Sequence, residues 1–147
     1  MRFLTDRRLK LWLWVLLGLF CVRVVAQLLQ LRFSFAFLPV FDAWHSGALP
    51  YPTLLSLQAL IIAVMTYTCW VFSRASPAPR RGVGVALLAG GGVYFVTMLG
   101  RLMIGLFFLP GHYWFGQYLP TLFHLVLASF VLLVGTYHFS RSDNPRQ

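Results

Sequence analysis

Four stretches of the chain carry almost nothing but apolar side chains: Leu11 to Leu31, Tyr51 to Phe72, Val83 to Leu109 and Leu119 to Phe139. Each reaches the ~20 residues that a helix needs to cross about 30 Å of hydrocarbon. Backbone polar groups inside lipid must be satisfied within the segment, so runs of this length are expected as α-helices and not as strands. The third run is the longest and is expected to tilt or bend. Connections of about 19, 10 and 9 residues leave no room for a soluble domain. Joined this way, sequential helices are expected to be antiparallel neighbours. The pattern predicts an all-α integral membrane protein, a four-transmembrane-helix bundle filling residues 1–147 as one domain, with helices at about 11–31, 51–72, 83–109 and 119–139.

The polar residues that interrupt these runs are not scattered. Arg23, Gln27 and Gln30 recur at i, i+4 and i+7 on the first helix, and Tyr94, Thr97 and Arg101 at i, i+3 and i+7 on the third. Both spacings put three polar groups on one helical face, which should meet protein or water. The fourth helix adds Thr121 and His124 at i and i+3, and the second adds Gln58 at a similar depth. Intramembrane ionisable residues are costly, and by default they mark a functional site. Arg23, Gln27, Gln58, Tyr94, Arg101 and His124 are therefore the candidate ligand-binding set.

Composition agrees with the pattern: 59% of residues are hydrophobic and only 10% charged, with a net charge of +9. The basic residues divide unevenly among the connections. Arg2, Arg7, Arg8 and Lys10 precede the first helix, Arg74, Arg80 and Arg81 lie between the second and third, and Arg141 and Arg146 follow the fourth. By the positive-inside rule these segments, and so both termini, are cytoplasmic. Loops 32–50 and 110–118, holding Arg32 alone, fall on the external side of what reads as a bacterial inner (plasma) membrane. Topology accounts for the charge, with anionic lipid contact an addition to it, and no nucleic-acid recognition pattern surrounds the cations.

The basic start, the run Leu11 to Val22 and the Val24-Val25-Ala26 tripeptide have the layout of a secretory signal. Arg23 sits awkwardly in such a cleavage region and apolar character resumes to Leu31, so the helix is expected to be retained. Cys21 and Cys69 should differ in depth by roughly 10 Å at 1.5 Å per residue, beyond disulfide reach.

The external loops bring further chemistry. Asp42, Trp44, His45 and Ser46 lie in one and His112, Tyr113 and Trp114 in the other, so three of the four histidines, with His124, collect on one side. The aromatic residues fit an interfacial belt. The arginines could snorkel to headgroups, and the glutamines could bridge helices. Taken together, the stripes and loops point to an outward-facing polar pocket. Only Asp6, Asp42 and Asp143 are acidic, so an anionic amphiphile such as a phospholipid or polyprenyl phosphate suits two guanidinium groups above apolar walls.

Other chemistries are weaker. His45, His112 and His124 are candidate catalytic residues for proton transfer, and Asp42, His45, His112 and His124 are weak candidate metal ligands without a specific spacing. Haem or quinone would make the chain a membrane redox protein, though no two helices place histidines opposite one another at one depth. Neither haem nor metal is required by the sequence, and whether the chain is an enzyme stays open. Ser46 beside His45 lacks a nucleophile elbow, and the two halves show no inverted repeat. Gly82, Gly84, Gly90, Gly91, Gly92, Gly100 and Gly105 concentrate in the third helix. They suggest close packing, and with it an alternative role as a non-catalytic subunit or assembly partner docking a membrane protein, or a second copy, through that helix.

Overall fold

Charged residues are no obstacle to a helix, and the first one begins before its apolar run does. In the computed structural model, which describes residues 6–33, 50–112 and 115–142, the elements are α1 (Asp6–Phe33), α2 (Tyr51–Arg74), α3 (Arg81–Phe107) and α4 (Tyr118–Ser142). All four are long and apolar enough to cross a membrane. Asp6 in the first turn of α1 and Arg32 in its last both suit the helix dipole. Pro50 caps α2 in an extended conformation and Pro52 falls in its first turn, where proline is tolerated. At the other end of α3, Phe108 and Leu109 fall outside the helix although they are apolar. Leu109 precedes Pro110, and that position disfavours helical backbone.

Three helices surround the apolar core. Leu9, Leu13, Leu17, Phe20 and Val24 of α1 meet Met65, Cys69 and Phe72 of α2 and Phe130 and Tyr137 of α4. Helix α3 adds no large side chain to this cluster, and of the other three helices it packs against α4 alone, along most of its length. The reason is its glycines. A Cβ on Gly84 would lie 2.5 Å from the Phe139 nitrogen, and one on Gly91 3.0 Å from Val131 Cγ1. Gly105 lies against the Phe115 backbone, and from α4 Gly135 returns the arrangement against Leu87 and Leu88. Small residues thus let the two backbones approach closely. The helix runs unbroken through Gly90, Gly91 and Gly92.

The spatial order is α2, α1, α4, α3. Every contacting pair of helices is antiparallel, as expected, but sequential helices are not all neighbours. No Cα atom of α2 comes within 8 Å of one of α3. Residues 75–80 explain the separation. Ala75 and Arg80 are extended, and prolines at 77 and 79 keep the segment from turning back as a hairpin. Six extended residues reach roughly 20 Å, about two helix diameters. The segment crosses the end of α4, where the Tyr137 hydroxyl donates to the Pro77 carbonyl at 2.8 Å and the Arg80 N–H donates to His138 Nδ1 at 3.3 Å. At this same end Asp6 and Arg141 form an ion pair that ties the start of α1 to the finish of α4. It is called the terminal end below, and the opposite one the far end.

Polarity is inverted relative to a water-soluble bundle. Val93, Val96, Phe107 and Phe108 are among many large apolar side chains facing outward, while Arg23, Gln27, Gln30, Gln58, Arg101 and Thr121 are buried. Cys21 and Cys69 are both free thiols, in line with their expected depths.

Candidate functional site

The buried polar residues form one layer in the far half of the bundle, and each helix contributes to it. From α1 comes the stripe Arg23, Gln27 and Gln30, all three buried as their spacing requires. Gln58 of α2 faces it, 3% exposed, and its Nε2 donates to Gln27 Oε1 at 3.1 Å. Arg101 comes from α3 and Thr121 and His124 from the first two turns of α4. In the segment Leu119-Pro120-Thr121-Leu122-Phe123-His124, Pro120 falls in the first turn of α4, where proline is tolerated.

His124 is the centre of the layer. The Tyr94 hydroxyl lies 2.6 Å from its Nδ1, with the rings edge to face at 6.0 Å between centroids. Where Tyr94 is the donor, the imidazole hydrogen sits on Nε2 and is a second donor directed away from the tyrosine. Arg23 and Arg101 come from helices whose Cα atoms stay more than 8 Å apart, yet both side chains lie in the same half of the bundle as His124, near enough for their charges to bear on its ring. The Arg23 guanidinium stacks over Phe123 at 5.2 Å from the ring centroid, a contact that gains strength away from water. Arg23 and Arg101 are 7% and 6% exposed. They are covered by protein and do not snorkel along the outer surface.

The six residues expected from the sequence to bind a ligand thus fall in one half of the bundle: Tyr94 is bonded to His124, Arg23 and Arg101 are buried there, and the Gln27–Gln58 pair lies one turn further along α1. Thr97 departs from the expected stripe. It is exposed on α3, and its hydroxyl donates back to the Val93 carbonyl at 2.8 Å. The i+3 step rotates it away from the face that Tyr94 and Arg101 share at i and i+7. Phe123 is a contact that sequence reasoning missed, since an aromatic beside a histidine in an apolar run looks like any other lipid-facing ring.

His112 is engaged elsewhere. Its Nδ1 accepts from the Phe115 N–H at 3.4 Å, its carbonyl accepts from Gly116, and its ring packs edge-on against Phe115. It shapes the turn between α3 and α4. Asp42 and His45 lie outside the described residues, as do Trp44, Ser46, Tyr113 and Trp114. Among the described residues no group of three or more His, Cys, Asp or Glu side chains gathers as a metal site requires.

An open groove of about 470 Å³ runs along α1 and α4, lined by Trp12, Leu16, Leu132 and Leu133 with Ser129 and Thr136. It lies nearer the terminal end than the polar layer. Leu16 is at i−7 from Arg23, on the same stripe and two turns below it. Comparison with protein-family models, curated proteins and solved structures finds no match.

Proposed function

We propose that the chain spans a bacterial inner membrane with both termini in the cytoplasm and binds an anionic, amphipathic ligand, of the phospholipid or polyprenyl-phosphate class, in a pocket opening outward. The observation that carries this reading is the burial of two arginines, Arg23 and Arg101, in the same half of the bundle as the Tyr94–His124 pair. Of the three acids in the chain, Asp6 is paired with Arg141 at the opposite end and Asp143 follows α4. Against the two guanidinium groups, that leaves Asp42 as the one further carboxylate in the chain. A phosphate accepts from both, and the second ring nitrogen of His124 adds a donor.

The groove below supports the tail. A mostly apolar open groove of this size, reaching Leu16 on the α1 stripe two turns below Arg23, suits an acyl or prenyl chain in line with a charged head. The outward-facing apolar surface and the basic residues around 7–10, 74–81 and 141 support insertion and its orientation.

The test is native mass spectrometry of the protein released from nanodiscs containing anionic and zwitterionic lipids of matched chains. Wild type is expected to retain anionic lipid. Arg23→Gln and Arg101→Gln each remove a charge-assisted bond of about 1.5–3 kcal/mol and lower retention roughly 10- to 100-fold. Equal retention by wild type and both variants, in protein that still runs as a folded species, sinks the reading.

A second reading has one observation in its favour. Gly82, Gly90 and Gly100 of α3 have no atom within 4 Å of an added Cβ, and Ala86 is exposed between the first two. A face of small residues pointing away from α4 suits a partner helix in a larger complex or a second copy. Loss of a co-purifying protein or of an oligomer on Gly90→Leu, with lipid retention intact, favours it over the pocket.

A further inference from the structure

The glutamines beside the arginines say more about the ligand than its charge. Gln27 and Gln58 share one hydrogen bond, after which Gln27 Nε2 and Gln58 Oε1 are both buried without a partner. Turning both amides over exchanges their roles and leaves the same remainder, one buried NH2 and one buried carbonyl, so the deficit does not depend on how the amides were assigned. Gln30, 7% exposed and on the same stripe, holds a further buried Oε1 with no partner. Buried polar atoms left unfilled carry their full desolvation penalty, and native structures leave few of them. Three in adjacent turns of one layer call for a group that both donates and accepts.

A hydroxyl does this and the common alternatives do not. A phosphate oxygen only accepts, which would fill Gln27 Nε2 and leave the carbonyls bare. An ammonium only donates, and it would stand one helical turn, roughly 6 Å, from Arg23. We propose, resting on the anionic-ligand reading above, that the ligand carries hydroxyls next to its phosphate: a phosphodiester of a polyol, such as a phosphoglycerol or glycosyl-phosphate head. The order of groups along α1 matches such a molecule. From the far end inward come Gln30 and Gln27, then Arg23, then Leu16 at the groove. Hydroxyls, phosphate and apolar chain follow in the same sequence.

The experiment uses the full chain in nanodiscs holding equal amounts of phosphatidylglycerol, phosphatidic acid and phosphatidylethanolamine with identical acyl chains, and reads retained lipid by native mass spectrometry. Wild type is expected to retain phosphatidylglycerol about ten-fold over phosphatidic acid, as one or two added hydrogen bonds allow. The double variant Gln27→Leu/Gln58→Leu removes both members of the pair together, so that neither strands the other, and leaves Gln30 Oε1 as the one orphan of the three. It is expected to bind the two anionic lipids equally while still preferring both to phosphatidylethanolamine. Should wild type itself hold phosphatidylglycerol and phosphatidic acid equally, water fills the amides and the polyol proposal fails while the anionic reading stands. Should neither be held above phosphatidylethanolamine, the anionic reading fails. Because these outcomes are read on wild type, they stand even where the double variant does not fold. Glycerol 3-phosphate as soluble competitor separates the two sources of the head: displacement marks the free polyol phosphate as sufficient, and no displacement marks the lipid-anchored form.

Discussion

Adding one methyl group to α3 should be costly at one position and nearly neutral at another six residues away. At Gly84 an added Cβ meets the Phe139 backbone nitrogen at 2.5 Å and Cα at 2.8 Å. Ordinary contact between such atoms begins near 3.5 Å, and backbone cannot rotate out of the way as a side chain can. Helices α3 and α4 must therefore separate by roughly 1 Å there, an overpacking cost of about 1–3 kcal/mol. At Gly90 nothing lies within 4 Å, so Gly90→Ala should stay within about 0.5 kcal/mol of wild type. Gly91→Ala should fall between them, because its neighbours are the Val131 and Leu132 side chains, which can shift. The assay is unfolding in mixed micelles by increasing SDS, followed by near-ultraviolet circular dichroism. Helices persist in the SDS-unfolded state, so intrinsic helix propensity largely cancels and the difference reports packing. If Gly90→Ala and Gly84→Ala destabilise equally, the face of α3 that meets α4 has been assigned incorrectly.

Two further outcomes concern the terminal end. Asp6→Asn breaks a pair whose side chains are 40% and 33% exposed, so in the same micelle titration it should cost no more than about 1 kcal/mol, and less as salt is raised; a larger, salt-independent loss contradicts that surface assignment. Tyr137→Phe frees the Pro77 carbonyl, and limited trypsin digestion should then cut faster at Arg74, Arg80 or Arg81, whereas an unchanged rate means the hydroxyl does not hold that segment.

Helix number and approximate position were legible because nothing but an apolar run decides them. The ends were less so: hydropathy loses α1 at Leu11, although Asp6 to Lys10 continue the same helix. The Arg23, Gln27 and Gln30 stripe was readable from period alone, and so was the rise that separates Cys21 from Cys69. Thr97 was misplaced because i+3 and i+4 steps diverge by enough to put one residue on the seam and another outside it. Helix order was not legible. Short connections favour neighbours, and only the extended course of 75–80 over Tyr137 and His138 places α3 beyond α4. Phe123 gave no signal, since its role depends on which guanidinium arrives above it.

The α1–α4 contact also fixes an order of events during synthesis. Arg23 and the Phe123 ring beneath it are 100 residues apart, 123 minus 23, so at 5–20 residues per second the arginine precedes its platform by about 5–20 s. The amide of Gln27 waits for Gln58, only 31 residues behind. A growing chain thus completes the α1–α2 hairpin early and keeps one guanidinium in reserve, and the last helix to emerge is the one that closes the charged layer.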